Sequence, residues 1–109
     1  MNRSLYEIRP QELRQKMAAG HKFVLLDVRR ADEVATASLP HTVHIPIEEI
    51  EFRAEELNPD DEIVVYCHQG VRSAAVAAYL RERGFARAAN LAGGLDHWAR
   101  TVDPAMRRY

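Results

Sequence analysis

The sequence predicts an α/β fold, with a mostly parallel five-stranded sheet and helices on both of its faces. Two short apolar runs, at 23–26 and 63–66, are rich in β-branched and aromatic residues, as is typical of strands covered on both faces. Helical patterns alternate with the strand patterns, and this order favours parallel pairing through right-handed crossovers. The 109 residues suit a single domain at 1–109, with 1–4 and 102–109 as terminal extensions.

Three weaker strand patterns complete the predicted sheet. They lie at 6–8, 43–45 and 88–91, and because each is short we expect them as outer strands. In open α/β sheets, ligands bind beyond the carboxyl ends of the strands. The loop that follows the 63–66 strand begins at Cys67 and is therefore a candidate site.

The first helix is predicted from Pro10 to Gly20. Pro10 suits an opening helical position, Leu13 and Met17 lie four residues apart on one face, and Gly20 is a typical helix stop. Arg9, the residue before Pro10, is a poor N-cap.

The clearest helical pattern runs from about Arg72 to Arg83. Its alanines favour a helix, Val76 and Leu80 are spaced to face the core, and Gly84 follows its end. Shorter helical segments are predicted at 32–35, 47–56 and 95–100.

Charge and composition exclude several classes of protein. The 15 basic and 16 acidic residues give a formal net charge of −1 and are spread along the chain, which argues against a nucleic-acid partner or an anionic membrane surface. No apolar run reaches the length of a membrane span, so we expect a cytoplasmic protein. The single cysteine is a buried structural thiol, one half of an intermolecular bridge or a reactive thiol.

The segment from Cys67 to Ser73 joins a buried strand to a helix, so its backbone N–H groups can form an anion-binding nest. A helix N-terminus and a nearby guanidinium favour the thiolate, which is the reactive form of cysteine. Gly70 permits a tight turn, and Arg72 supplies a planar set of donors for an oxyanion. The alternative interpretation is that Cys67 is simply the last buried residue of its strand.

Three motifs in order resemble the rhodanese family of sulfurtransferases. Asp27-Val28-Arg29 with Glu33 looks like the family's first signature, 67–73 looks like its active-site loop, and 91–98 looks like its closing Gly-Gly-x-x-x-Trp segment. The resemblance runs over nearly the whole chain and implies a single rhodanese-like domain.

The resemblance also implies a mechanism. Cys67 would take sulfane sulfur from a donor such as thiosulfate, hold it as a persulfide and pass it to a thiol, cyanide or a sulfur-carrier protein. Arg72 would help to bind the donor anion. No metal and no organic cofactor is implied, because the cysteine itself forms the covalent intermediate. The amides that would cradle the persulfide belong to His68, Gln69, Gly70, Val71, Arg72 and Ser73.

One stretch departs from the family pattern. At 37–42 the family usually has Gly-His-Ile-Pro-Gly-Ala, whereas Ala37, Ser38, His41 and Thr42 all differ from it here. Because two glycines are replaced, we expect the local turns to be built differently. The closing motif raises simpler expectations, with Gly93-Gly94 as a tight turn and Trp98 as a core anchor.

Other polar residues are weaker candidates. Asp27 and Arg29 could support the site, but a charge pair at the base of a loop more often fixes the loop's geometry. His68 could move a proton, although a thiolate that is already ionised needs no general base. The remaining histidines lack the spacing of metal ligands. They are His21, His41, His44 and His97.

Two rival functions remain open. Cysteine phosphatases and arsenate reductases also place a cysteine and an arginine around an anion loop, but phosphatases have five residues between them, whereas Cys67 and Arg72 enclose four. A non-catalytic binding module of this fold would commonly lack the loop cysteine. The tail at 102–109 resembles the end of rhodanese domains fused to enzymes that activate ubiquitin-like sulfur-carrier proteins, which favours a sulfur-relay partner.

Overall fold

The computed structural model describes residues 6–109, in which strands and helices alternate as expected. Residues 1–5, which include the predicted N-terminal extension at 1–4, lie outside the described residues. Within 6–109, no helix is long and apolar enough to cross a membrane. The elements are β1 (Glu7–Ile8), α1 (Pro10–Ala18), β2 (Val24–Asp27), α2 (Ala31–Thr36), β3 (Thr42–His44), α3 (Ile50–Arg53), β4 (Ile63–Tyr66), α4 (Val71–Glu82), β5 (Ala88–Leu91) and α5 (Gly94–Thr101).

The five strands form one sheet in the order β1-β5-β4-β2-β3, and every neighbouring pair is parallel. The predicted α/β class and five-stranded parallel sheet are confirmed. β4 lies at the centre with all four of its residues buried, as its unbroken apolar pattern indicates. The expectation of an outer strand at 88–91 is wrong, because β1 pairs through Glu7 and Ile8 with the outer edge of β5.

Several boundaries differ from the sequence pattern. β2 begins one residue later than predicted and extends to Asp27, whose backbone pairs with Tyr66 while Arg29 neutralises its carboxylate. A hydropathy pattern excludes such an aspartate from a strand, although an ion-paired one can be buried there. The predicted helix at 47–56 is divided into α3 and two flanking 3₁₀ turns, Ile47–Glu49 and Ala54–Glu56.

Helices cover both faces of the sheet, as predicted. The alternation along β4 sends Ile63 and Val65 to one face and Val64 and Tyr66 to the other. On the first face α4 packs through Val76, Ala77 and Leu80. On the second face α1 contributes Leu13, and α5 contributes Leu95 and Trp98. Trp98 is therefore a core anchor.

Acidic residues in the first turn explain two helices that begin after an arginine. The Glu12 carboxylate accepts a hydrogen bond from the Arg9 backbone N–H at 2.9 Å, and Glu33 accepts one from the Arg30 N–H at 3.1 Å. Each carboxylate forms the reciprocal half of a capping box, in which the N3 side chain accepts the backbone N–H of the N-cap residue. Arg9 is a poor cap, but Glu12 compensates for it.

The turn at 37–42 keeps a glycine-like backbone without glycine. His41 has φ of +57°, a left-handed conformation that glycine adopts freely, whereas Ala37 is extended with φ of −164°. His41 therefore adopts, with a Cβ, a backbone conformation that glycine would adopt without strain. Hydrogen bonds hold it in place: the Tyr66 hydroxyl accepts the Leu39 N–H at 3.2 Å, and the Thr42 hydroxyl donates to the Leu39 carbonyl at 2.9 Å.

We predict opposite effects of glycine at these two positions. His41→Gly should stabilise the protein by about 0.5–1 kcal/mol, because it relieves the left-handed strain of a residue with a Cβ. Ala37→Gly should destabilise it by about 1 kcal/mol, because glycine gains freedom in the unfolded chain and no strain is relieved. Urea unfolding measures both free energies. Changes of the same sign in the two variants would contradict this account of the turn.

Candidate active site

Cys67 follows β4 directly, and its sulfur lies inside the loop that leads to α4. The residue is only 1% exposed. Its Sγ accepts hydrogen bonds from the Gly70 N–H at 3.2 Å and the Ser73 N–H at 3.4 Å, and the Ser73 hydroxyl, a third donor, lies 3.2 Å from it. The loop therefore places a group of donors around the sulfur.

The N-terminus of α5 holds the other side of this loop. The Leu95 N–H donates to the Cys67 carbonyl at 2.9 Å, and the Asp96 N–H donates to the His68 carbonyl at 2.9 Å. These N–H groups belong to the first turn of α5, where the helix itself supplies no acceptor. Because the carbonyls of Cys67 and His68 are bound to α5, the N–H groups of the loop can turn towards the sulfur.

Two glycines make this close contact possible. A Cβ on Gly94 would lie 2.5 Å from the His68 carbonyl oxygen and 2.7 Å from the Cys67 carbonyl oxygen. A Cβ on Gly70, which has φ of +91°, would lie 3.0 Å from the Gly93 nitrogen. The closing Gly-Gly pair thus does more than form the predicted tight turn, because the missing side chain of Gly94 allows the Cys67 loop to pack closely against α5.

Ser73 and Asn90 form a buried polar pair behind the sulfur. Ser73 Oγ lies 2.5 Å from Asn90 Oδ1 and 3.2 Å from Cys67 Sγ, and because both are acceptors, its single proton is donated to one of them at a time. Asn90 Nδ2 donates to the Gly70 carbonyl and to the Glu7 carboxylate, each at 3.2 Å. These two bonds orient the Asn90 amide so that its oxygen faces Ser73. Sequence reasoning missed Asn90, although a buried amide in the apolar strand pattern at 88–91 was a signal for it.

Hydrogen bonds favour the thiolate of Cys67. Burial opposes ionisation and is the largest single influence. The Ser73 hydroxyl and the backbone N–H groups of Ser73, Gly70 and Gln69 act against it, and together they lower the pKa of Cys67 below its ordinary value. These donors therefore favour the thiolate, which is the reactive form of cysteine.

Arg72 is directed to Glu33. Its guanidinium forms two hydrogen bonds with the Glu33 carboxylate, at 2.7 and 2.9 Å, and its side chain is 31% exposed. These bonds outweigh the effect of burial and lower the pKa of Glu33 to about 2. Glu33 is part of the first sequence motif, but no role of its own could be predicted for it.

Asp27 and Arg29 form a fully buried ion pair. Arg29 donates to both carboxylate oxygens of Asp27, at 2.7 to 3.1 Å. It also donates to the Ala37 carbonyl at 2.7 Å and to the Tyr109 hydroxyl at 2.6 Å. The pair therefore ties β2 to the 37–42 turn and to the C-terminal tail, which is the structural role that the sequence favours for it.

The rest of the predicted loop faces outward. The His68 ring stacks on Tyr109, with ring centroids 4.0 Å apart and planes inclined by 20°. The Gln69 and Val71 side chains are exposed.

The tail at 102–109 packs back onto the domain, since Arg108 binds Asp96 at 3.0 Å and Tyr109 covers His68. Sequence reasoning gave Tyr109 no place at the site, because stacking across 41 residues of chain leaves no local pattern.

Comparison with known proteins shows the family of this chain. Residues 9–101 match the model of the rhodanese-like domain. A sulfurtransferase from Allochromatium vinosum is 36% identical over 94 residues, which are 86% of this chain and 88% of the relative. The putative sulfur carrier protein YrkF of Bacillus subtilis is 39% identical over 95 residues, which are 87% of this chain but 51% of that protein.

A solved structure shows the same fold. The rhodanese-like domain protein from Staphylococcus aureus superposes with a TM-score of 0.82 at 29% identity, covering 95% of this chain and 98% of that chain. The chain belongs to the rhodanese-like family. Sulfur transfer is the activity that the names of these relatives support.

We predict that the Ser73 hydroxyl helps to ionise Cys67. Ser73→Ala should raise the pKa of Cys67, because a donor to the thiolate is lost. Iodoacetamide alkylates the thiolate form of cysteine, so the rate of alkylation increases with pH as Cys67 ionises. This increase should occur at higher pH in the variant than in the wild-type protein. Thr101→Ala, which removes a hydroxyl from the exposed end of α5, is the control and should leave the profile unchanged. Coincident profiles for Ser73→Ala and wild type would contradict the role assigned to this hydroxyl.

Proposed function

We propose that this chain is a sulfurtransferase that moves sulfane sulfur from a donor such as thiosulfate to a thiophilic acceptor through a persulfide on Cys67. The observation that carries the proposal is the ring of donors around the Cys67 sulfur, at the end of a central strand and opposite the N-terminus of α5. Three donors within 3.4 Å of one buried sulfur serve an anionic nucleophile better than a structural thiol.

The reaction proceeds in two balanced steps. In the first, the Cys67 thiolate attacks the outer sulfur of thiosulfate, the donor's S–S bond breaks, and its electron pair leaves with sulfite. Cys67 then carries a persulfide anion. In the second, a thiolate or cyanide attacks the outer sulfur of that persulfide, and the electron pair of the broken S–S bond restores the Cys67 thiolate. Cysteine itself forms the covalent intermediate that divides the transfer in two.

The loop amides have the same task in both steps. The N–H groups of residues 68 to 73 would hold the negative charge as it moves from Cys67 Sγ to the outer sulfur, in the manner of an anion-binding nest. Arg72 would add a cation at the mouth of this nest and help to bind the donor. Asp27 and Arg29 would support the site by holding the base of the β2 loop.

A sulfur-carrier protein is a further acceptor that suits this site. The relative YrkF is named a putative sulfur carrier protein, and this chain spans about half of its length. A persulfide on an active-site cysteine passes its outer sulfur to any thiolate that reaches it, whether the thiol is small or part of a protein. A reducing compartment such as the cytoplasm would keep both thiols available for this exchange.

We predict that Cys67→Ser abolishes sulfur transfer. Serine has a similar size, so the fold should be kept, but its oxygen does not form the sulfur-bearing intermediate. Thiocyanate released from thiosulfate and cyanide measures the activity, and a thermal melt checks the fold.

Three results would overturn the proposal. The first is thiocyanate release by Cys67→Ser at the wild-type rate. The second is hydrolysis of a small aryl phosphate by the wild-type protein that disappears in Cys67→Ser, which would favour the cysteine phosphatase alternative. A folded protein that releases no thiocyanate and hydrolyses no phosphate would favour a binding module.

A further inference from the structure

Glu33 has a saturated carboxylate, which binds Arg72 at the end of the Cys67 loop. Oε1 accepts the Arg30 N–H at 3.1 Å and Arg72 Nη1 at 2.7 Å, while Oε2 accepts Arg72 Nη2 at 2.9 Å and the Tyr109 hydroxyl at 3.1 Å. The residue is only 5% exposed. Such a carboxylate is held in one position and stays charged.

Tyr109 braces this carboxylate from the far end of the chain. Its hydroxyl accepts a hydrogen bond from Arg29 at 2.6 Å and donates one to Glu33 at 3.1 Å, so its single proton is used towards Glu33. Its ring stacks on His68 of the active-site loop. Glu33 is therefore fixed from helix α2, from α4 and from the tail at once.

The charges near the loop are consequently balanced. Arg72, the cation that a donor anion would use, already shares two of its N–H groups and its charge with Glu33. Arg29 is likewise paired with Asp27. A dianionic donor that approaches Arg72 must either displace Glu33 or lie near its negative charge, whereas a donor with one negative charge meets a smaller repulsion.

We propose that Glu33 is a specificity-determining residue, which disfavours dianionic sulfur donors and favours singly charged donors that end in an S–S⁻ group, such as thiosulfonates and persulfides. The inference rests on the proposed function and deepens it, because it names the class of donor that the same site accepts. Glu33 acts through its own charge and through its hold on Arg72, so it determines which donor is used and takes no part in the transfer itself.

Two sulfur donors of different charge, which leave the same persulfide on Cys67, isolate the effect of the donor's charge on the reaction. Thiosulfate has two negative charges, and methanethiosulfonate replaces one charged oxygen with a methyl group while keeping the terminal S–S bond. Cys67 thiolate attacks the outer sulfur of either donor. The electron pair of the donor's S–S bond leaves with sulfite in one case and with methanesulfinate in the other, and both reactions leave the same persulfide anion on Cys67.

The experiment measures kcat/KM for both donors with cyanide as acceptor, in wild type and in Glu33→Gln. Because the two leaving groups differ, the ratio of the donors is compared between proteins. Glutamine keeps the size of Glu33 and an oxygen for the Arg30 N–H, so the helix start is retained. Glu33→Gln should raise the thiosulfate-to-methanethiosulfonate ratio about tenfold, the size expected for one removed like charge in a partly buried site.

Asp32→Asn is the matched control. Asp32 lies beside Glu33 on α2, is exposed and pairs with Arg30 rather than with Arg72, so the variant removes the same charge at a neighbouring position. Its donor ratio should stay at the wild-type value.

Tyr109→Phe keeps the ring on His68 but removes the hydroxyl, and should shift the ratio in the same direction as Glu33→Gln by about two- to threefold. Tyr109→Phe decides the matter if Glu33→Gln proves unfolded in a thermal melt.

Three outcomes would overturn the inference. An unchanged ratio in folded Glu33→Gln would show that Glu33 does not select among donors. An equal shift in Asp32→Asn would assign the effect to the general surface field. A wild-type protein that uses neither donor would overturn the proposed function together with this inference, whereas an active wild type with an unchanged ratio would overturn the inference alone.

Discussion

The contact between the Cys67 loop and the first turn of α5 is the constraint on which the candidate site depends. The Leu95 and Asp96 N–H groups bind the carbonyls of Cys67 and His68, and Gly94 leaves the room that this contact requires. A loop whose carbonyls are bound on one side presents its N–H groups on the other. The closing Gly-Gly motif, distant from Cys67 in the sequence, is therefore part of the same structural unit as the cysteine.

A second layer of interactions relates this loop to the rest of the molecule. Asn90 on β5 holds the Gly70 carbonyl and faces Ser73, so the sheet as well as α5 orients the donors around the sulfur. On the outer side, Glu33 and Tyr109 determine where Arg72 points. The inner interactions set the ionisation of Cys67, and the outer ones set the charge that an approaching donor meets. If the proposed function is right, reactivity and donor selectivity depend on different residues of one site.

Much of this arrangement could be predicted from the sequence, because its signals are local. The apolar run at 63–66 predicted the central strand, and Val76, Leu80 and Gly84 predicted the helix that follows the cysteine.

The position of β5 inside the sheet could not be predicted, since it depends on two residues of β1. Asn90, Glu33 and Tyr109 reach the site through folding across the chain, and no spacing in the sequence indicates such contacts. The left-handed backbone of His41 could not be predicted either, because glycine indicates such a conformation in a sequence and histidine does not.

The most direct test of the central claim, that Cys67 carries transferred sulfur, is the intact mass of the protein after incubation with a sulfane-sulfur donor in the absence of an acceptor. The account predicts a gain of one sulfur atom per chain, located by peptide mapping on the segment that contains Cys67 and removed when cyanide is added. A protein whose mass does not change, while iodoacetamide still alkylates Cys67 readily, would contradict it.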